Sequence, residues 1–187
     1  MSVIYRDAGA ADIAALAAFH VRQWRETYRD LAPARAHQVL DVPHRVQGWT
    51  ATLALPPPAG VSLALEGEAI VGFVAFGPTD EPVFAGRGRI SLLYVDAAQR
   101  GRGLGAHLLR LAQHRLHDAG FNATALAVVE GNMPARAFYA RMGGTEAGAY
   151  TDAGPIWPSD NILVVWGQRP AAASQSDSKG RVAPSRP

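Results

Sequence analysis

The sequence predicts an α/β fold built on one mixed sheet, and three observations carry that prediction. Apolar residues recur at helical spacing over residues 10–28 and again over 103–118. Short apolar or alternating runs, bounded by turn residues, occupy 61–65, 69–76, 90–95, 124–129 and 161–166. The succession of strand 90–95, helix 103–118 and strand 124–129 is that of a parallel βαβ crossover.

Taken in order, residues 3–6 make a short strand. Ile13, Leu16, Ala17, Val21 and Trp24 mark the apolar stripe of the first helix, which Leu31-Ala32-Pro33 interrupts. Helices follow over 34–40 and around 45–55, and Pro56-Pro57-Pro58 ends the second because proline lacks an N–H and clashes with the preceding turn. Residues 61–65 alternate, Glu66-Gly67-Glu68 turns, and 69–76 return, which is a hairpin pattern. The run over 90–95 is apolar enough for burial on both faces. Leu104, Leu108, Leu111 and Ala112 form the stripe of the next helix, stopped by Asp118-Ala119-Gly120. Residues 124–129 are another buried strand, 134–142 a short helix with proline in its first turn and Gly143-Gly144 beyond its end, and 161–166 the last strand.

The length of 187 residues suits one domain, here residues 1–169. Residues 170–187, rich in Ala, Ser and Pro, read as a disordered basic tail. That tail explains the charge: Lys179, Arg181 and Arg186 against Asp177 supply the entire net +2, so the charge says little about partners and no nucleic-acid partner is expected. Cysteine is absent, which excludes disulfides, thiolate metal sites and cysteine nucleophiles. No apolar run approaches the ~20 residues that span a bilayer, and the first residues lack a signal-peptide core, so a cytoplasmic protein with no membrane partner is expected. His107, His114 and His117 share one helix without a carboxylate at matching spacing, and no metal site is expected.

The strongest chemical signal is Gln99-Arg100-Gly101-Arg102-Gly103-Leu104-Gly105, between a strand and a helix. First-turn amides of a helix lack intrahelical partners and sit at the positive end of its dipole. Glycines there remove the β-carbons that would keep phosphate oxygens away from the backbone, and Arg100 and Arg102 add charge. The bland alternative is a glycine-rich loop in an arginine-biased chain. A dinucleotide site is another, because Gly101-x-Gly103-x-x-Ala106 fits the G-x-G-x-x-G/A fingerprint. That fit lacks its acidic residue at the end of the next strand, where Glu130 comes too late.

The stretch Leu93-Tyr94-Val95-Asp96-Ala97-Ala98-Gln99-Arg100-Gly101-Arg102-Gly103-Leu104-Gly105 resembles the strand-to-loop segment of the GNAT superfamily of N-acetyltransferases. The family's R/Q-x-x-G-x-G/A element falls on Arg100, Gly103 and Gly105. A second stretch, from Val128 through Asn132 and Tyr139 to Gly144, is similar to the family's asparagine-to-tyrosine segment, in the expected order. The resemblance implies a single mixed, mostly antiparallel sheet with one parallel crossover, flanked by helices, and acetyl-CoA as co-substrate. It implies that the backbone of Leu93, Tyr94 and Val95 pairs with the pantetheine arm. The amides of Gly101, Arg102, Gly103, Leu104, Gly105 and Ala106 would bind pyrophosphate. Asn132 would bond the pantetheine region, and Tyr139 would protonate the leaving thiolate. Asn132 and Tyr139, seven residues apart, fall near one helical face, although a helix cap and a core aromatic are the plain alternatives.

The general base departs from the family pattern. Arg89 stands where relatives carry a glutamate, and Ala127 where ribosomal-protein alanine acetyltransferases carry one. Glu26, Glu130, His20 or an ordered water remain to take the amine proton. Trp24, Glu26 and Tyr28, with Trp157, are candidates to line the acceptor pocket, with core packing the alternative for Trp24. The expected function is N-acetyl transfer to a primary amine of a small molecule or peptide, with a homodimer left open. The competing readings are a CoA-binding regulatory domain without catalysis and a nucleotide-cofactor oxidoreductase.

Overall fold

The computed structural model describes residues 2–154 and 156–167; the expected tail over 170–187 lies outside them. Strand β1 (Val3–Asp7) leads through a single 3-10 turn (Ala10–Asp12) into α1 (Ile13–Thr27), followed by α2 (Ala34–Val39) and α3 (Val42–Leu53). Helix α3 begins before the apolar spacing shows it, because the Asp41 carboxylate accepts the His44 N–H at 2.8 Å and Pro43 pre-sets the first turn. The hairpin is β2 (Gly60–Glu66) and β3 (Ala69–Gly77), and the crossover is β4 (Gly88–Val95), α4 (Leu104–Asp118) and β5 (Ala123–Val129). Helix α5 (Met133–Arg141), β6 (Thr145–Asp152) and β7 (Ser159–Gly167) complete the chain.

The seven strands lie in the order β1-β2-β3-β4-β5-β7-β6, antiparallel throughout except for β4 and β5. Two apolar layers cover the two faces. On one, Leu104, Leu108, Leu109 and Leu116 of α4 pack with Val74, Leu126, Ile162 and Val164 of the sheet. On the other, Leu16 and Phe19 of α1 and Trp49 of α3 pack with Leu63 and Phe73. Each such side chain contributes about 1.5–3 kcal/mol by leaving water.

Two features depart from the sequence expectation. Strand β6 was not expected, since its residues are mostly exposed and carry no apolar alternation; its place comes from pairing with β7, from Thr145 opposite Val165 to Asp152 opposite Ser159. Strand β4 was expected to be buried on both faces, yet Leu92 to Val95 are only half-buried. It pairs with β3 along its length, with a bulge that leaves Ser91 as the extra residue, its hydroxyl donating to Ala75 O at 3.1 Å. Against β5 it pairs only at Gly88–Thr124 and Arg89–Ala125. A bulge bends its strand, and from Ile90 onward the two parallel strands part. This opening positions the site.

Candidate active site

The parted strands enclose a cleft of about 670 Å³. Leu93, Tyr94 and Val95 form one wall, and Leu126, Ala127 and Val128 of β5 the facing one. Beyond Arg89 the β5-facing edge of β4 has no strand to bond, so its peptide groups are available to a ligand. Asn132, which caps α5, and Tyr139 of α5 line it as well, as do Arg100, Gly101, Gly103, Leu104 and Gly105, and Glu26 and Tyr28 reach it from the end of α1.

The loop before α4 owes its shape to local chemistry. Asp96 accepts the Ala98 N–H at 3.0 Å and is held by Arg22 at 3.0 Å. Gly101 and Gly103 then take φ of 81° and 82°, left-handed values that disfavour other residues, and open space surrounds the place of a β-carbon at both. In α4 the His107 N–H bonds back to Gly103 O at 3.0 Å, while Leu104, Gly105 and Ala106 at the helix start keep amides with no intrahelical partner. Arg102 is turned to Glu66 at 3.2 Å and to Gln99, and neither Arg102 nor Ala106 is on the cleft wall. Arg100 is exposed at the mouth.

Asn132 acts as the cap of α5. Its Oδ1 accepts the Ala135 N–H at 3.3 Å, and Pro134 follows in the first turn. Tyr139 stands edge-on to Phe138 at 5.3 Å and to Trp166 at 5.9 Å. Burial, and after it the nearby Tyr28, push the Tyr139 phenol far above its usual value. Burial also raises Tyr28, but hydrogen bonding from Tyr94 and Asn132 draws it back. Burial holds the Tyr94 phenol well above its usual value as well, with Tyr28 adding to the rise. Three phenols and one carboxamide, far apart in sequence, thus converge on one part of the cleft. The side chain of Tyr94 was not anticipated; only its backbone was, and no local pattern links positions 28 and 94.

The remaining candidates are dispersed. Trp24 is 4% exposed and packs behind Tyr28 at 5.2 Å, against Trp157 at 5.3 Å and His37 at 5.1 Å. Glu26 is exposed on the wall, whereas Glu130 is exposed and away from it. Arg89 pairs with Glu81 and covers the Phe84 ring at 4.9 Å, and Ala127 puts a methyl on the wall where a carboxylate would be needed. His20 is fully buried beside Trp49 and Tyr94. Among the described residues no three His, Asp or Glu gather at metal-binding distance, and no helix is long and apolar enough to cross a membrane.

Comparison with known proteins adds three findings. The model of the acetyltransferase (GNAT) family matches residues 18–144. An L-methionine sulfoximine/L-methionine sulfone acetyltransferase of Pseudomonas aeruginosa is 32% identical over 152 residues, covering 76% of this chain and 80% of that one. A mycothiol acetyltransferase of Catenulispora acidiphila is 35% identical over 95 residues, 49% of this chain, and this chain spans only 30% of that relative's length. The PaiA N-acetyltransferase of Thermoplasma acidophilum, solved in complex with coenzyme A, superposes with a TM-score of 0.72 over 90% of this chain and 100% of its own, at 14% identity, which shows a shared fold.

Proposed function

The chain belongs to the acetyltransferase (GNAT) family, and from that membership we propose that it moves an acetyl group from acetyl-CoA to a primary amine of a small molecule or peptide. The observation that carries this is the parting of β4 from β5 directly before a loop with two left-handed glycines and a free helix N-terminus. Those features fit acetyl-CoA: a strand edge for the amide-bearing pantetheine arm and unbonded amides for its pyrophosphate. The co-substrate supplies the activated acetyl thioester. The relatives' names point to different acceptors, so the acceptor does not follow from them.

The chain's own residues then act as follows. The edge of β4 and the α4 amides fix the thioester, and holding both reactants in attack geometry is worth about 7–11 kcal/mol. A backbone N–H near Leu92 or Leu93 polarises the thioester carbonyl. The amine attacks the carbonyl carbon, the C–S bond breaks, and the proton for the thiolate comes from Tyr139, which burial keeps protonated. The amine's own proton leaves to water or to Glu26, the carboxylate on the cleft wall, and Tyr139 takes a proton back from solvent once the thiol has left.

The missing glutamates at Arg89 and Ala127 favour a second reading, CoA binding without turnover. Thiol release from acetyl-CoA in the presence of a panel of primary amines separates the two. Amine-dependent release is expected. Binding of CoA with no amine-dependent release from any member would leave only the second reading.

A further inference from the structure

The interface of α1, α3 and β4 holds polar atoms that the fold does not satisfy. His20 is fully buried, and neither of its ring nitrogens has a hydrogen-bond partner among the described residues. The same holds for the Gln23 carbonyl oxygen, the Trp49 indole N–H and the Arg45 Nε. Gln23 and Trp49 are 1% and 3% exposed. Buried polar groups are bonded with few exceptions, and several exceptions in one place point to a partner from outside the chain.

These atoms form one group next to the cleft. His20, Gln23 and Thr27 follow at helical spacing on one face of α1, and Thr27 is on the cleft wall. The His20 ring lies 5.4 Å from Trp49 and 5.1 Å from Tyr94, which is itself on the wall. Burial, and then the charge of Arg45, hold His20 well below its usual value, so the imidazole is neutral. The charge of Arg45 also reaches Tyr94.

Two of the buried or half-buried arginines, Arg45 and Arg87, pair with no carboxylate among the described residues; Arg87 donates to Phe84 O at 3.0 Å, whereas the Arg45 Nε has no partner there. Arg6, Arg22, Arg89, Arg102, Arg115 and Arg136 each pair with a carboxylate. Arg45 is half-buried and pairs with none among the described residues. The carboxylate one turn back on its own helix, Asp41, is engaged as the cap of α3. A desolvated guanidinium without an anion is costly, and an incoming carboxylate matches its planar fork. The phosphates of the co-substrate would not supply that anion. Their amides open α4, which packs on the opposite face of the sheet from α1 and α3.

Resting on the acetyltransferase reading above, we propose that Arg45, with the buried polar groups of His20, Gln23 and Trp49 beside it, is the subsite for a carboxylate carried by the acceptor. The acceptors are then amino acids rather than plain amines or polyamines. Arg45 and the Trp49 N–H donate to the carboxylate, while a second ammonium in that position would meet the like charge of Arg45.

The test compares acetylation of amino acids with that of the same amines lacking the carboxylate: leucine with isopentylamine, tyrosine with tyramine, lysine with cadaverine. The expected kcat/KM ratio favours the amino acid by on the order of 10²-fold, the size of effect seen when one partner of a desolvated charge pair is removed. Arg45→Gln should bring the ratio close to one through the acceptor KM, leaving the KM for acetyl-CoA in place. Arg45→Lys, which keeps the charge and loses the fork, should retain part of the preference. A wild-type ratio near one, transfer confined to the plain amines, or a ratio that persists in both variants would overturn the subsite. A purely structural Arg45 would lower the melting temperature of both variants and leave the ratio unmoved. Lack of any melting shift with acetyl-CoA would instead overturn the acetyltransferase reading beneath it.

Discussion

The Tyr139 ring is buried edge-on against Phe138 and Trp166, while its hydroxyl makes no hydrogen bond within the chain among the described residues. The ring carries the packing and the proposed proton transfer rests on the oxygen, so Tyr139→Phe separates them. Melting should change little, because no internal hydrogen bond is lost. The value of kcat should fall by ~10²–10⁴ with the KM for acetyl-CoA nearly unchanged. The raised pKa sets the sign of the pH dependence. The acid form persists through alkaline pH, so kcat should climb as the amine loses its proton and then level, without a falling limb below about pH 10. A falling limb that disappears in Tyr139→Phe would show a phenol with an ordinary pKa, and full activity in the variant would remove Tyr139 from the mechanism. Asn132 and Tyr139 were legible in the sequence because both lie on one short segment with a cap and proline to fix its frame. The contacts of Tyr28 with Tyr94 and Asn132 were not, since they join three elements whose meeting depends on the whole sheet.

At the scale of elements, the loop over 99–105 was legible because its geometry is local: a strand end, glycines, then a helix start. Its glycines carry both access and backbone conformation. At Gly103, φ is 82° and a β-carbon would touch nothing in the chain, so the residue is required by the left-handed turn and by what approaches it. Gly103→Val should therefore act twice. It should cost roughly 1–3 kcal/mol of stability from a branched residue held at positive φ, and it should weaken CoA binding beyond that loss by blocking the α4 amides. Titration calorimetry on the folded variant, compared with its melting curve, tests both parts; unchanged CoA affinity would show that the loop is not the phosphate site. Strands were harder to read. β6 has no buried face to impose a period of two, and the half-exposure of β4 follows from a bulge at Ser91 that no residue preference announces.

For the whole molecule, the opening between β4 and β5 divides the sheet into a β1–β4 part and a β5–β7 part that meet through only two residue pairs of the central ladder and through the layer under α4. A ligand lying along β4 and against β5 bonds to both parts, so its binding should tie them together. Acetyl-CoA at ~100 Kd should stabilise the native state by ~2.7 kcal/mol, a rise of roughly 5–10 °C in melting temperature for a domain of this size. NAD(P) should give no such shift, because no acidic residue at the end of β5 is on the cleft wall to hold a ribose, and the cleft offers a strand edge that suits an amide-bearing arm. Hydrogen exchange locates the effect. Protection should grow at the amides of Leu92 to Val95, at Leu104 to Ala106 and along β5, while β1 and β2, already paired and away from the cleft, should change least. An equal shift with NAD(P), or protection gained evenly over all seven strands, would mean that the ligand does not lie in the opening. The same opening that leaves the β5-facing edge of β4 unpaired would then be a flaw in the sheet with no ligand to occupy it.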